Sequence, residues 1–380
     1  MSRTTRLLLA ATLALATPAT PVQSQEMPPP PKLARDADPH DWEAYFEYGV
    51  TQLRRSASKA DAAFYWANRM DPTRAEPIYG RWVAFWMLDI SEWPDYLEGN
   101  KRVLADPKVI ASDSVRYRAY ARNPFVNQAL LLLLFEQLRG GLSGGGVTHG
   151  WISYANRNYS EALRSFYAVM QDDPDRVWVR YDLALVFAQM QRYDSAAVQL
   201  LQLLDELRAI DRKEVVRLYD SKEMLEYALG LLYAAQGKLG DARQAQERAL
   251  QENLGFTPAH VALGRLAVAR RDTGTAVTEF GLAVELEPKD GAGHFWYGQA
   301  LVRALRPAEG VEHLATAVRL EPYFADPYLS LATAYEALHD TTRAVAAYGN
   351  YLKRAPHSAT VNITIATDRV AKLGGTAATP

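Results

Sequence analysis

The chain contains no cysteine among its 380 residues. Disulfides, thiolate metal sites, cysteine nucleophiles and a lipid-modified N-terminal cysteine are therefore excluded, and stability must come from packing. Charge of one sign is also missing, since 42 basic residues stand against 44 acidic ones. No summed field draws the chain to nucleic acid or to an anionic membrane surface. Long apolar runs are absent too: the stretches Leu7 to Ala16 and Leu130 to Phe135 fall short of the roughly 20 residues that span a bilayer. No H-E-x-x-H string occurs, which removes the commonest metalloprotease signature.

What is present begins with an export pattern. Arg3 and Arg6 precede the apolar run Leu7 to Ala16, and Thr17 to Ser24 form a small-residue exit broken by Pro18 and Pro21. This order predicts a signal peptide over 1–24, cut between Ser24 and Gln25, and a soluble protein in the periplasm or secreted space. Residues 25–40, with four consecutive prolines, and 374–380 read as disordered ends.

The second half repeats itself every 34 residues. Gly230, Gly264, Gly298 and Ala332 keep that step, as do Ala242, Ala276, Gly310 and Ala344, and the bulkier Gln246, Phe280, Leu314 and Tyr348. Small residues recur where helices must touch. Pro288, Pro322 and Pro356 close three units at one phase, because proline cannot continue a helix. Apolar spacing on either side of a polar turn, as around Arg271 to Gly274, makes each unit two helices. A single pair cannot bury its apolar face, so stacked pairs must share one continuous core.

These residues resemble the tetratricopeptide repeat family. Leu263, Gly264, Ala276, Phe280, Ala283 and Pro288 carry the clearest likeness. Weaker units stand at Leu183 to Leu200, at Tyr159 to Pro174 and, near the start, at Tyr48, Gly49, Ala60, Phe64, Ala67 and Pro72. The resemblance implies an all-α, right-handed alpha-solenoid of helix pairs, interrupted in the middle. The expected layout is N-terminal repeat-like helices over 41–90, an irregular insertion or degenerate repeat with a Gly-rich loop over 91–148, the main array over 149–356, and a capping helix over 357–373.

The resemblance also implies a concave groove lined by fixed positions of each first helix, which here fall on Tyr181, Tyr227, Arg265, Phe295, Gln299, Arg303 and Glu336. Such a groove would take a protein or peptide ligand with apolar anchors and an acidic group, for a scaffold that helps assemble or maintain an envelope or secreted complex. For Arg303 the blander expectation is an exposed pair with Glu336 of the next repeat. No cofactor, metal or nucleic acid is implied. Two other readings remain beside the scaffold. Gly141 to Gly145 spells G-x-S-x-G around Ser143, the string of a serine hydrolase, although no strand precedes it as that motif requires. A structural spacer without a groove ligand is the other. His260 and His294, one repeat apart, read as core-edge residues rather than metal ligands, because a third ligand is missing at their phase.

Overall fold

The computed structural model describes residues 27–86 except 54, the isolated positions 123 and 125, and 146–213 and 221–374. The expected signal peptide, most of the 91–148 insertion and Ser143 lie outside the described residues. Two units are distinguished. Met1–Pro30 is described only at 27–30, which carry no regular secondary structure, and Pro31–Pro380 holds every described helix.

Among the described residues there is no strand, and the helices follow one another in packed pairs. They are α1 (Trp42–Gln52), α2 (Ala57–Met70), α3 (Glu76–Trp86), α4 (Gly146–Ala155), α5 (Tyr159–Asp172), α6 (Val179–Gln189), α7 (Tyr193–Asp211) and α8 (Lys222–Ala235). After these come α9 (Leu239–Glu252), α10 (Thr257–Ala269), α11 (Thr273–Leu286), α12 (Gly291–Arg303), α13 (Pro307–Leu320), α14 (Asp326–Ala337), α15 (Thr341–Leu352) and the closing α16 (Thr360–Lys372). No described helix is long and apolar enough to cross a membrane. The chain is thus an all-α solenoid of helix pairs, as the repeat spacing predicts.

Local signals set the helix starts. The carboxylates of Asp272 and Asp340 accept the N–H groups of Thr275 at 3.0 Å and Arg343 at 2.9 Å, satisfying donors that a helix leaves open at its N-terminus. Pro258, Pro307 and Pro327 sit at the first or second helical position, where a missing N–H costs nothing. From α4 onward the turn inside each pair repeats a left-handed residue: Arg157, Gln191, Gly237, Arg271, Leu305 and His339 all have φ between 57° and 74°. Only one of these is glycine, so the hairpin geometry overrides the local preference of the others.

The core has a recurring joint. A bulky side chain from the second helix of a pair fills the notch left by a glycine on the first. A Cβ on Gly264 would stand 2.7 Å from Phe280, one on Gly150 2.5 Å from Phe166, and one on Gly298 2.7 Å from Leu314. Phe64 is held from both sides, by Gly49 on α1 and Gly80 on α3, at 2.7 and 2.5 Å. The glycines at the 34-residue step are therefore sites of helix contact, and any side chain there would force the pair apart.

The interruption between α7 and α8 is bridged by charge. Glu226, 1% exposed, accepts from Arg208 at 3.0 Å and Arg248 at 2.9 Å, and Arg208 also reaches Glu252 at 2.8 Å. Lys222 reaches Asp211 at 2.7 Å.

The two histidines at equivalent phases each turn to one partner on the second helix of their own unit and to one carbonyl in the loop that precedes it. His260 meets Glu279 at 2.8 Å and the Leu254 carbonyl at 3.2 Å, and the bond to Glu279 raises its pKa against the opposing effect of burial. His294 meets the His313 ring nitrogen at 3.1 Å and the Pro288 carbonyl at 3.1 Å; burial and the neighbouring His294 lower the pKa of His313. Among the described residues no group of three or more His, Cys, Asp or Glu side chains is placed to hold a metal ion.

Candidate functional site

The first helices of the repeats present their inner faces to a cavity of 1020 Å³. Its walls come from α8, α10 and the start of α12, and the far side is closed by the loop joining α2 to α3. Leu231, Val261, Leu266 and Trp296 make the floor largely apolar. Arg265 is exposed, and its guanidinium lies 5.8 Å from the centroid of the Trp296 ring, a cation held over an aromatic face. Lys289, Asp290 and Glu321 add charge to the lining. An apolar concavity with a few placed polar groups is the usual form of a binding site.

One side chain in the wall departs from the repeat pattern. Gln246 stands at the phase occupied elsewhere by Phe280, Leu314 and Tyr348, and it is only 1% exposed. A Cβ on Gly230 would come within 2.0 Å of its Nε2, so the amide fills the glycine notch. Nε2 donates to the Tyr227 carbonyl at 3.2 Å, while Oε1 is buried with no hydrogen-bond partner. The Tyr227 carbonyl is already the acceptor of its helix, so little is lost if the amide goes. Gln246→Leu is therefore expected to raise stability by about 1 kcal/mol, the cost of an unmatched buried polar atom. Chemical denaturation of the two proteins in parallel would show a higher midpoint for the variant.

The structure brings two of the groove residues expected from sequence, Tyr227 and Arg265, to this cavity. Tyr227 is 4% exposed and packs edge-on against Phe256 at 5.7 Å. Phe295 is 4% exposed and lies between Trp296 and Phe324, with ring centroids at 4.9 and 5.1 Å, inside the core of the C-terminal units. Gln299 is half-buried and Arg303 exposed, and neither lines the cavity. Tyr181 packs on Trp178 at 6.3 Å, away from it. Glu336 accepts from Tyr348 at 2.5 Å and pairs with Arg369 of α16. Burial alone would raise the Glu336 pKa, but those two donors leave it lowered. The expected Arg303–Glu336 pair is thus replaced by one with the closing helix, whose guanidinium reaches Glu336 first.

Sequence reasoning missed the α2–α3 corner as a wall, where Asn68 at the end of α2, Pro72 and Thr73 in the loop and Ile78 near the start of α3 line the cavity. It also passed over Gln246, whose signal was available as a polar residue at an apolar phase.

Tetratricopeptide repeat family models match residues 153–218 and 261–325. No curated protein matches the chain. Among solved structures, YrrB, described as a TPR protein with an unusual peptide-binding site, is similar at 16% identity and a TM-score of 0.43, over 53% of this chain and 96% of its own. The C-terminal part of a TPR repeat-containing protein from Cytophaga hutchinsonii is similar at 17% identity and a TM-score of 0.49, over 59% and 86%. A MamA structure is similar at 16% identity and a TM-score of 0.40, over 52% and 94%. With the glycine-notch joint recurring at the 34-residue step and family models matching on both sides of α8, the chain carries tetratricopeptide repeats.

Proposed function

We propose that the chain is a protein- or peptide-binding scaffold that works outside the cytoplasm, assisting the assembly or maintenance of an envelope or secreted complex. The observation that carries the binding role is the 1020 Å³ cavity on the inner faces of the repeat helices, apolar at its floor and with Arg265 poised over Trp296. Repeat arrays offer extended concave surfaces by construction, and aromatic and arginine side chains dominate interface energetics once a partner excludes water from them. The ligand that suits the site is a segment with apolar anchors and an acidic group to meet Arg265. Export rests on the Arg3, Arg6 and Leu7 to Ala16 pattern, and the mature protein is expected to begin at Gln25 on N-terminal sequencing of native material. No catalytic role is proposed.

The test is affinity capture from the native envelope fraction, followed by calorimetry with the isolated partner. Arg265 is exposed, so Arg265→Glu should leave the melting temperature unchanged. It should weaken binding by about 2 kcal/mol, or some thirtyfold, as for a hot-spot arginine. Unchanged affinity in both Arg265→Glu and Leu231→Asp would remove the cavity as the site.

A further inference from the structure

The wall formed by the N-terminal helices meets the C-terminal units through specific side chains. Trp66 of α2, 5% exposed, places its ring edge-on to Tyr323 with centroids 5.1 Å apart. Arg69 brings Nη1 to 2.7 Å from Oε2 of Glu321, both side chains being largely covered. Trp66 and Arg69 stand three residues apart on one helix and so share a face. Further out, the Asp38 carboxylate accepts the His357 N–H at 2.6 Å, across 319 positions of sequence. Inside the N-terminal group Phe64 is locked between Gly49 and Gly80. Among the described residues this group meets the later units through the Trp66–Tyr323 ring pair, the Arg69–Glu321 ion pair and the Asp38–His357 hydrogen bond, with Tyr323 also packed against the cluster of Tyr45, Trp66 and Ala67.

These contacts have the form of a ligand seated on a receptor. A helix offers an aromatic ring and a cation one turn apart, and the loop before α14 offers a ring and a carboxylate to match them. We propose that α2 is a resident cis ligand of the groove, and that the Glu321–Tyr323 face is an interaction surface for an amphipathic helix carrying an aromatic side chain and an arginine one turn apart. Such a partner competes with α2 for the same two residues and opens the cavity as it does so. This rests on the reading of the cavity as a binding site and adds its regulation: affinity for the partner is reduced by the fraction of molecules in which α2 is seated.

The test uses the full chain and, as probe, a fluorescently labelled synthetic peptide of residues 57–73, with binding read by anisotropy. Arg69→Glu in the protein unseats the cis helix and should tighten peptide binding at least tenfold over the unaltered chain. Glu321→Arg should abolish binding of that peptide and restore it for a peptide carrying Arg69→Glu. Because the chain has no cysteine, Asp38→Cys with His357→Cys supplies the only thiols, and joining them with a short bis-maleimide should block the peptide. Tyr323→Ala serves as a second receptor variant should Glu321→Arg fold poorly, and it should weaken the peptide. Equal affinity of the unaltered and Arg69→Glu proteins, or binding indifferent to both Glu321 and Tyr323, would overturn the proposal. The captured native partner separates the two readings. If it remains sensitive to Arg265→Glu while the peptide fails, only the cis-ligand proposal falls. If the peptide obeys Glu321 while the partner ignores Arg265 and Leu231, only the cavity reading falls.

Discussion

Phe64→Ala is expected to cost about 3–5 kcal/mol, in the range of a phenylalanine removed from a closed core. Phe64 has no exposed surface, and glycines on two different helices approach it so closely that a methyl group at either would collide with the ring. The cavity left behind cannot collapse easily, because both flanking helices are tied to α2 by other contacts, Tyr45 on Trp66 at 6.4 Å and Arg81 with Asp61 at 2.9 Å among them. In an array whose units pack mainly on their neighbours, the Trp66–Tyr323 and Arg69–Glu321 contacts apart, the loss should be largely local. Hydrogen exchange should therefore rise across α1, α2 and α3 while α10 to α15 keep their protection. A uniform loss of protection along the chain, or a change below about 1 kcal/mol in denaturant unfolding, would contradict the notched-joint account.

Glu226→Ala is expected to cost about 2–3 kcal/mol, the scale of hydrogen bonds made to a charged group in a covered position. Its carboxylate is 1% exposed and serves both Arg208 and Arg248, so removal leaves two guanidinium groups without their central acceptor. Each arginine is about one-third exposed. Water moderates the penalty, which keeps the figure below that of a fully buried pair. Arg208→Ala should cost less, under about 1.5 kcal/mol, because Glu226 retains Arg248. A double-mutant cycle on Arg208 and Glu226 by chemical denaturation measures the coupling. An additive result would mean that the network does not bridge α7 to α8.

The repeat was legible because its physics is periodic. Gly230, Gly264 and Gly298 stand 34 residues apart since each must admit a side chain from the following helix, and prolines at one phase mark where each unit ends. The second helix of the unit beginning near Leu183 runs to Asp211, a little past the Leu207 reached by its apolar spacing, because charge on Asp211 and Lys222 continues the packing where leucines stop. The site was only partly legible. Of the family positions, Tyr227 and Arg265 line the cavity, whereas Phe295 is covered by Phe324 and Trp296 within the array. A register rule states which way a residue points and not what a later loop lays over it.

By itself the sequence determined the helical pairs, their order, the glycine joints and the absence of thiol chemistry, because each of these depends on residues within one 34-residue step. The tertiary structure alone decided that the α2–α3 loop walls the cavity, that Trp66 and Arg69 meet Tyr323 and Glu321, and that Glu336 turns to Arg369. The reason is geometric. Small rotations between neighbouring units add along a solenoid, so which distant surfaces meet depends on the sum over many joints, and no local pattern records that sum.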